Sequence, residues 1–148
     1  MITVGSAGLH LLCTIGGTAV ALPATGIEAV VRYEAVVPVP GAPPAIRGLA
    51  AIRSRMLTLV DCGWLVANRH TESAFMAIVT VGGHGYGLML DDIDDVVELP
   101  EPQVMPAMVT NAWNALDPLL VDFRSELRLV VEPEQFISLA GPQLLQVA

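Results

Sequence analysis

The amino-acid sequence predicts an all-β domain of about ten short strands, closed as barrels or packed as a sandwich. Three observations carry this expectation. The apolar residues, 53% of the chain, lean to Val, Ile, Leu and Ala and fall in short runs, which suits strands better than long helices. The 13 Gly and 11 Pro supply frequent chain reversals. Strands do not alternate with long helical segments, which argues against a parallel doubly wound sheet. At 148 residues the chain fits one domain, read as 1–148 with a core over 9–139 and a tail over 140–148.

Taken in order, His10 to Ile15 reads as a strand, Gly16-Gly17 as a two-residue hairpin turn, and Thr18 to Leu22 as the return strand stopped by Pro23. Ile27 to Tyr33 is β-branched and apolar enough for a third strand. Residues 37–45, VPVPGAPPA, hold Pro38, Pro40, Pro43, Pro44 and Gly41 and read as a stiff loop, because proline fixes φ and removes a donor. Ile46 to Ile52 and Met56 to Val60 follow as strands, and Cys62 to Ala67 as a short helix. The second half repeats the style. Ala74 to Val81, Tyr86 to Leu90 and Val96 to Leu99 read as strands, with a turn at Gly82 to Gly85 and a proline-marked loop at residues 101–106. Val109 to Leu116 and Leu119 to Phe123 read as weaker strands broken at Asp117-Pro118, and Leu127 to Val131 as a strong one. Pro133 to Leu139 can form a closing helix, with proline at an early helical position.

Composition and spacing narrow the functional classes. The net charge is −8 and the chain has no lysine, which argues against a nucleic-acid or anionic-membrane partner. The charge is uneven. Residues 1–69 set Arg32, Arg47, Arg53, Arg55 and Arg69 against Glu28, Glu34 and Asp61, whereas residues 70–148 set Arg124 and Arg128 against twelve acids. Two faces for two partners, or acids that merely solvate one end, both fit this distribution. No uninterrupted apolar stretch reaches the roughly 18 residues of a spanning helix. The first cation is Arg32, so the apolar N-terminus lacks the basic flank of a secretory signal, and a cytoplasmic location is expected.

Chemical motifs are sparse. GGHGYG lacks the Lys-Ser/Thr of a phosphate loop and lies between strands, so it reads as a hairpin turn. DDIDDV, residues 91–96, lacks the glycine of a calcium loop and reads as a solvated strand end. His10, His70 and His84 are scattered, Cys13 and Cys62 sit in apolar surroundings as reduced thiols, and no nucleophile motif is present. No cofactor, metal or catalytic residue is expected.

The order of these pieces resembles the CheW-like family over residues 9 to about 139. LLCTIGG with AVALP is similar to the family's opening hairpin and its small-apolar-Leu-Pro signature, and ATGIEAV to its V-x-E-V strand. VVPVPGAPPAIRGL resembles the proline loop ending at Gly48, and AIRSRMLTLVD the N-L-R-G segment and the strand after it. GYGLMLDDIDDVVEL and RLVVEPEQFISL resemble the later strand segment and the closing strand and helix. The resemblance implies two small SH3-like five-stranded barrels sharing a core. It also implies a non-enzymatic adaptor coupling the helical tip of chemoreceptors to the regulatory domain of the histidine kinase CheA, in an array at the membrane. Carried over residue by residue, Ile27, Arg53, Phe75, Ile93 and Val96 fall in the receptor-facing groove. Ala42, Pro43, Pro44, Ile46 and Gly48 fall where the family meets the kinase. Plain core packing for the apolar members, and pairing of Arg53 with Asp61 or Glu28, are the structural alternatives.

The sequence also departs from the family pattern. Ala51 replaces its Asn, Ser54 its Gly and Ala29 its Glu, with Glu28 one place early. An adaptor of the same fold for another kinase or a pilus-type system is therefore a second reading. A small-molecule-binding β-barrel and an enzyme are the remaining ones.

Overall fold

The computed structural model describes residues 6–105 and 112–144. Eleven strands form two sheets: β1 Ser6–Ile15, β2 Thr18–Pro23, β3 Ala29–Arg32, β4 Ile46–Ile52, β5 Arg55–Asp61, β6 Phe75–Val81, β7 His84–Met89, β8 Asp92–Pro100, β9 Gln103–Val104, β10 Leu119–Phe123 and β11 Glu126–Val130. Two helices, α1 Cys62–Ala67 and α2 Pro133–Leu144, follow β5 and β11.

The sheets have the orders β8-β1-β2-β11-β10-β9 and β3-β6-β7-β5-β4. Each curls toward closure through a strand that bends from one edge to the other. In the first sheet the two edges, β8 and β9, are successive segments of one stretch. In the second, the chain beyond β3 returns at Val37 to bridge Leu49 of β4. These are the two small barrels the resemblance implies, here called barrel 1 and barrel 2.

The two halves of the chain repeat each other, and their hairpins are exchanged. The β1–β2 hairpin turns at Gly16-Gly17 and β6–β7 at Gly82-Gly83, with all four glycines at positive φ. The β4–β5 hairpin turns at Arg53-Ser54 and β10–β11 at Arg124-Ser125, again at positive φ. The registers match place for place: Ala51 faces Met56 as Asp122 faces Leu127. Thr58 pairs in parallel with Tyr86 as Leu129 does with Val20. Yet β1–β2 pairs with β8 and β11 of the second half, and β6–β7 with β3 and β5 of the first.

This exchange explains why the strands read as near-continuous apolar runs. Both faces of many are buried, so polar alternation is lost. Leu12, Ala21, Leu99, Val121 and Val130 fill barrel 1, and Ala50, Leu57, Leu59, Met76, Ile78 and Met89 fill barrel 2. The opposite faces of these strands, with Leu11, Cys13, Val60 and Val79 among them, join Trp113 of a 3₁₀ turn and Phe136 of α2 in a third cluster between the barrels.

Three sequence expectations change. Over the described part of Val109 to Leu116, residues 112–116 form a 3₁₀ turn and not a strand, while 109–111 lie outside the described residues. Trp113 and Leu116 are both buried, and a spacing of three aligns side chains in a 3₁₀ turn. The acidic run after Asp91 is part of a full strand, β8, on a sheet edge where charge guards against further pairing. Helix α2 runs past Leu139 through fully buried Ala140 to Leu144, so the stretch read as a tail begins inside the core.

Candidate partner-binding site

The Arg53-Ser54 turn carries two non-glycine residues at φ 51° and 66°, the two-residue geometry that matches strand twist. Ser54 thus takes the backbone conformation that the family's glycine would take, at a cost of about 1 kcal/mol. Arg53 is exposed at the mouth of barrel 2 and belongs to no ion pair among the described residues. The pairings anticipated for it go to its neighbours. Arg55 Nη1 donates to Glu28 at 2.7 Å and Arg47 Nη1 to Asp61 at 3.0 Å.

Two clefts meet at Arg53. The smaller is lined by Glu28, Ala29, Val31, Ile52, Arg55 and Ile78 among others. Arg55 crosses it above Gly85, where a Cβ would lie 2.8 Å from the guanidinium, and its Nη2 donates to Thr80 Oγ1 at 2.6 Å. Thr80 in turn donates to Glu28. The Arg55 hydrogen bond, with that of Thr80, holds the Glu28 carboxyl below its ordinary range. The larger cleft, about 440 Å³, has Arg32, Glu34, Val37, Leu49, Ala51 and Met56 on its walls. Val37 and Met56 are 65% and 57% exposed there. Arg32 stacks on Phe75 with its guanidinium carbon 4.9 Å from the ring centroid.

The five residues expected to meet a receptor therefore fall into two groups. Arg53 and Phe75 are joined through Arg32 at barrel 2. Ile27 and Ile93 both pack against the inter-barrel core, and Val96, 53% exposed, faces out beside Ile93 on the edge strand β8.

The loop expected to meet a kinase is braced from within. Ile46, 4% exposed, lies in the inter-barrel core, and half-buried Ala42 packs against it. Gly48, at φ 140°, lets the Val37 backbone approach: a Cβ there would lie 2.3 Å from Val37 O. These residues shape the loop, which turns through Ala42 N–H to Val39 O and Ile46 N–H to Pro43 O. Pro44 is its exposed member and Pro43 is half-buried.

A buried carboxylate that the sequence reading named only as a pairing alternative for Arg53 sits below this loop. Asp61 is fully buried at the N-terminus of α1. It accepts from Trp64 N at 3.2 Å, Thr71 N at 3.1 Å, Thr71 Oγ1 at 2.6 Å and Arg47 Nη1 at 3.0 Å. His70 Nδ1 lies 2.8 Å away and must donate, since a carboxylate only accepts. The His70 ring stacks on Trp64 with centroids 4.6 Å apart. Burial pushes the Asp61 carboxyl up, but the hydrogen bonds from Thr71, His70 and Arg47 outweigh it and leave it below its ordinary value. Arg47 reaches in because the strand pairing shifts between Ile46 and Gly48, a bulge that re-aims one side chain. An acidic residue just before a short helix was the available signal.

Among the described residues no group of three or more His, Cys, Asp or Glu is placed to hold a metal ion, and no helix is long and apolar enough to cross a membrane. Apolar side chains pack together in both barrel interiors.

Comparison with known proteins agrees with the architecture. A family model described as the CheW-like domain matches residues 9–138. The fold matches the crystal structure of the scaffolding protein TtCheW from Thermoanaerobacter tengcongensis with a TM-score of 0.76 at 15% identity, covering 88% of this chain and 87% of that one. No curated protein matches.

Proposed function

This chain belongs to the family of CheW-like domains, non-enzymatic adaptors of chemotaxis signalling, and we propose that it couples the helical tip of chemoreceptors to the regulatory domain of the histidine kinase CheA. The observation that carries the reading is the family match over nearly the whole chain, together with an exposed cation at the mouth of barrel 2. Arg53 stands without an ion-pair partner among the described residues, beside an apolar cleft, so its charge is available to a partner. The kinase surface is the loop around Ala42, Pro43 and Pro44, with Ile46 and Gly48 holding its shape. The receptor surface is built on Arg53 and Phe75, with Ile27, Ile93 and Val96 on the inter-barrel side. The protein works in the cytoplasm, at the membrane only through its receptors.

Calorimetric titration against the regulatory domain of its own organism's chemotaxis kinase tests this reading. Saturable one-to-one binding is expected. A folded protein that gives no heat and no complex sinks it. That result favours the second reading, an adaptor of the same fold for another kinase or a pilus-type system, to which the departures at Ala29, Ala51 and Ser54 point.

A further inference from the structure

Matching positions of the two halves line a cleft on each barrel, the one on barrel 1 smaller and acidic, and we propose that it is a second docking surface, for a basic, apolar segment of a partner protein. Strand register establishes the equivalence. Leu49, Ala51 and Met56 of barrel 2 correspond to Leu120, Asp122 and Leu127 of barrel 1, each placed by the same hairpin pairing. Val37, bridging Leu49, corresponds to Gln103, pairing Leu120. A cleft of about 200 Å³ lies at that place, lined by Pro100, Glu101, Gln103, Leu120, Asp122 and Leu127 with Val121. A cleft at the matching place thus recurs at less than half the volume and without the cations of the Arg53 cleft.

The charge inverts through single positions. Arg32, opposite Phe75 in barrel 2, is matched by Glu98, opposite Leu9 in barrel 1. Ala51 is matched by Asp122. Arg124, in the place of Arg53, lies over Phe123 at 4.7 Å and 3.9 Å from Asp95, outside the cleft lining. The cleft lining therefore holds Glu101 and Asp122 and no cation. Leu127 stands 62% exposed beside them, although Leu129, two places on and on the same face, packs against the core. An apolar side chain ringed by acids suits a partner that brings both apolar and cationic groups. The surface gives an adaptor two clefts at matching places and of opposite charge preference, which keeps two partners from competing.

The probes are two fluorescent peptides of the same length, one alternating leucine with arginine and one alternating leucine with glutamate, read by anisotropy and by amide shifts of the labelled full-length protein. The arginine peptide is expected to bind the wild type and to shift residues 120–122 and 126–127. Leu127→Ser and Asp122→Arg, both at exposed positions, are each expected to weaken it by about tenfold, and Arg53→Gln, which removes a cation without adding an acid, to leave it unchanged. The glutamate peptide is expected to show the reverse dependence. Leu127→Ser is decisive, because attraction to the general acidity of the chain would not respond to it. Three results overturn the proposal: no binding of the arginine peptide by the wild type, binding indifferent to Leu127→Ser, or shifts confined to residues 92–98. Sedimentation of the protein alone is expected to show a monomer. A dimer dissolved by Asp122→Arg gives the surface to a second copy and overturns it too. None of these outcomes depends on whether the kinase or a receptor binds.

Discussion

Removing the Asp61 carboxylate is the sharpest probe of how the loops around the candidate site are held. Asp61→Ala deletes the cap of α1, worth about 1 kcal/mol. It also strands the two Thr71 donors, which are buried with it, at a further 1–3 kcal/mol or so. Arg47 and His70 contribute less, because their side chains are 34% and 50% exposed and turn to water when the carboxylate goes. The expected loss is therefore about 3 kcal/mol, out of the roughly 5–15 kcal/mol that hold a domain together. Asp61→Asn keeps one oxygen for the cap and loses the charge assistance, so about half that loss is expected. Urea unfolding followed by circular dichroism measures both. A loss below about 1 kcal/mol for Asp61→Ala, at unchanged m-value, would show that the network holds no stability. The pH dependence follows from the depressed carboxyl. Its stabilisation is complete above the unfolded-state value and disappears as pH falls through the lower folded-state value. The gap between wild type and Asp61→Asn is thus constant near neutrality and narrows in acid, below the ordinary carboxylate range.

Other perturbations have equally definite outcomes. Gly48→Ala sets a Cβ against the Val37 carbonyl and should cost about 3 kcal/mol through backbone displacement; a melting curve that overlays the wild type refutes the close approach. Burial pushes the Cys13 thiol up to about 12 and raises Cys62 well above its ordinary value. Neither should react with a thiol reagent at neutral pH until denaturant is added, and rapid native labelling would contradict their burial. Arg53→Glu should change stability by no more than about 0.5 kcal/mol while weakening receptor binding, and equal binding by both forms would remove Arg53 from the receptor surface. Val60→Asp places an unpaired charge in the inter-barrel core and should abolish the folded near-ultraviolet signal; an unchanged melting temperature would misplace β5.

The sequence by itself determined most of the strands and the turns that glycine and proline mark. Gly16-Gly17 and Gly82-Gly83 mark hairpins because only glycine takes paired positive φ without strain. The proline-rich loop announces itself by lost donors, and Pro133 opens α2 where its missing N–H is not needed. The family resemblance supplied the two-barrel architecture ahead of the structure. Even the internal repeat is written in IRSRMLTLV and FRSELRLVV, though Arg-Ser at positive φ gives no signal of the kind glycine does.

Only the tertiary structure decided which strands meet. A strand buried on both faces reads as an uninterrupted apolar run, and such a run does not say which neighbour lies on either side. The exchange of β1–β2 and β6–β7 between the halves was therefore beyond periodicity. The ion pairs were beyond it for a related reason. The strand-pairing shift at Ile46–Gly48 aims Arg47 at Asp61, and the two-residue turn after Ile52 leaves Arg53 at the rim while Arg55 reaches Glu28. Spacing along the chain names the arginines; the pleat, bulge and twist of paired strands determine which of them is left for a partner.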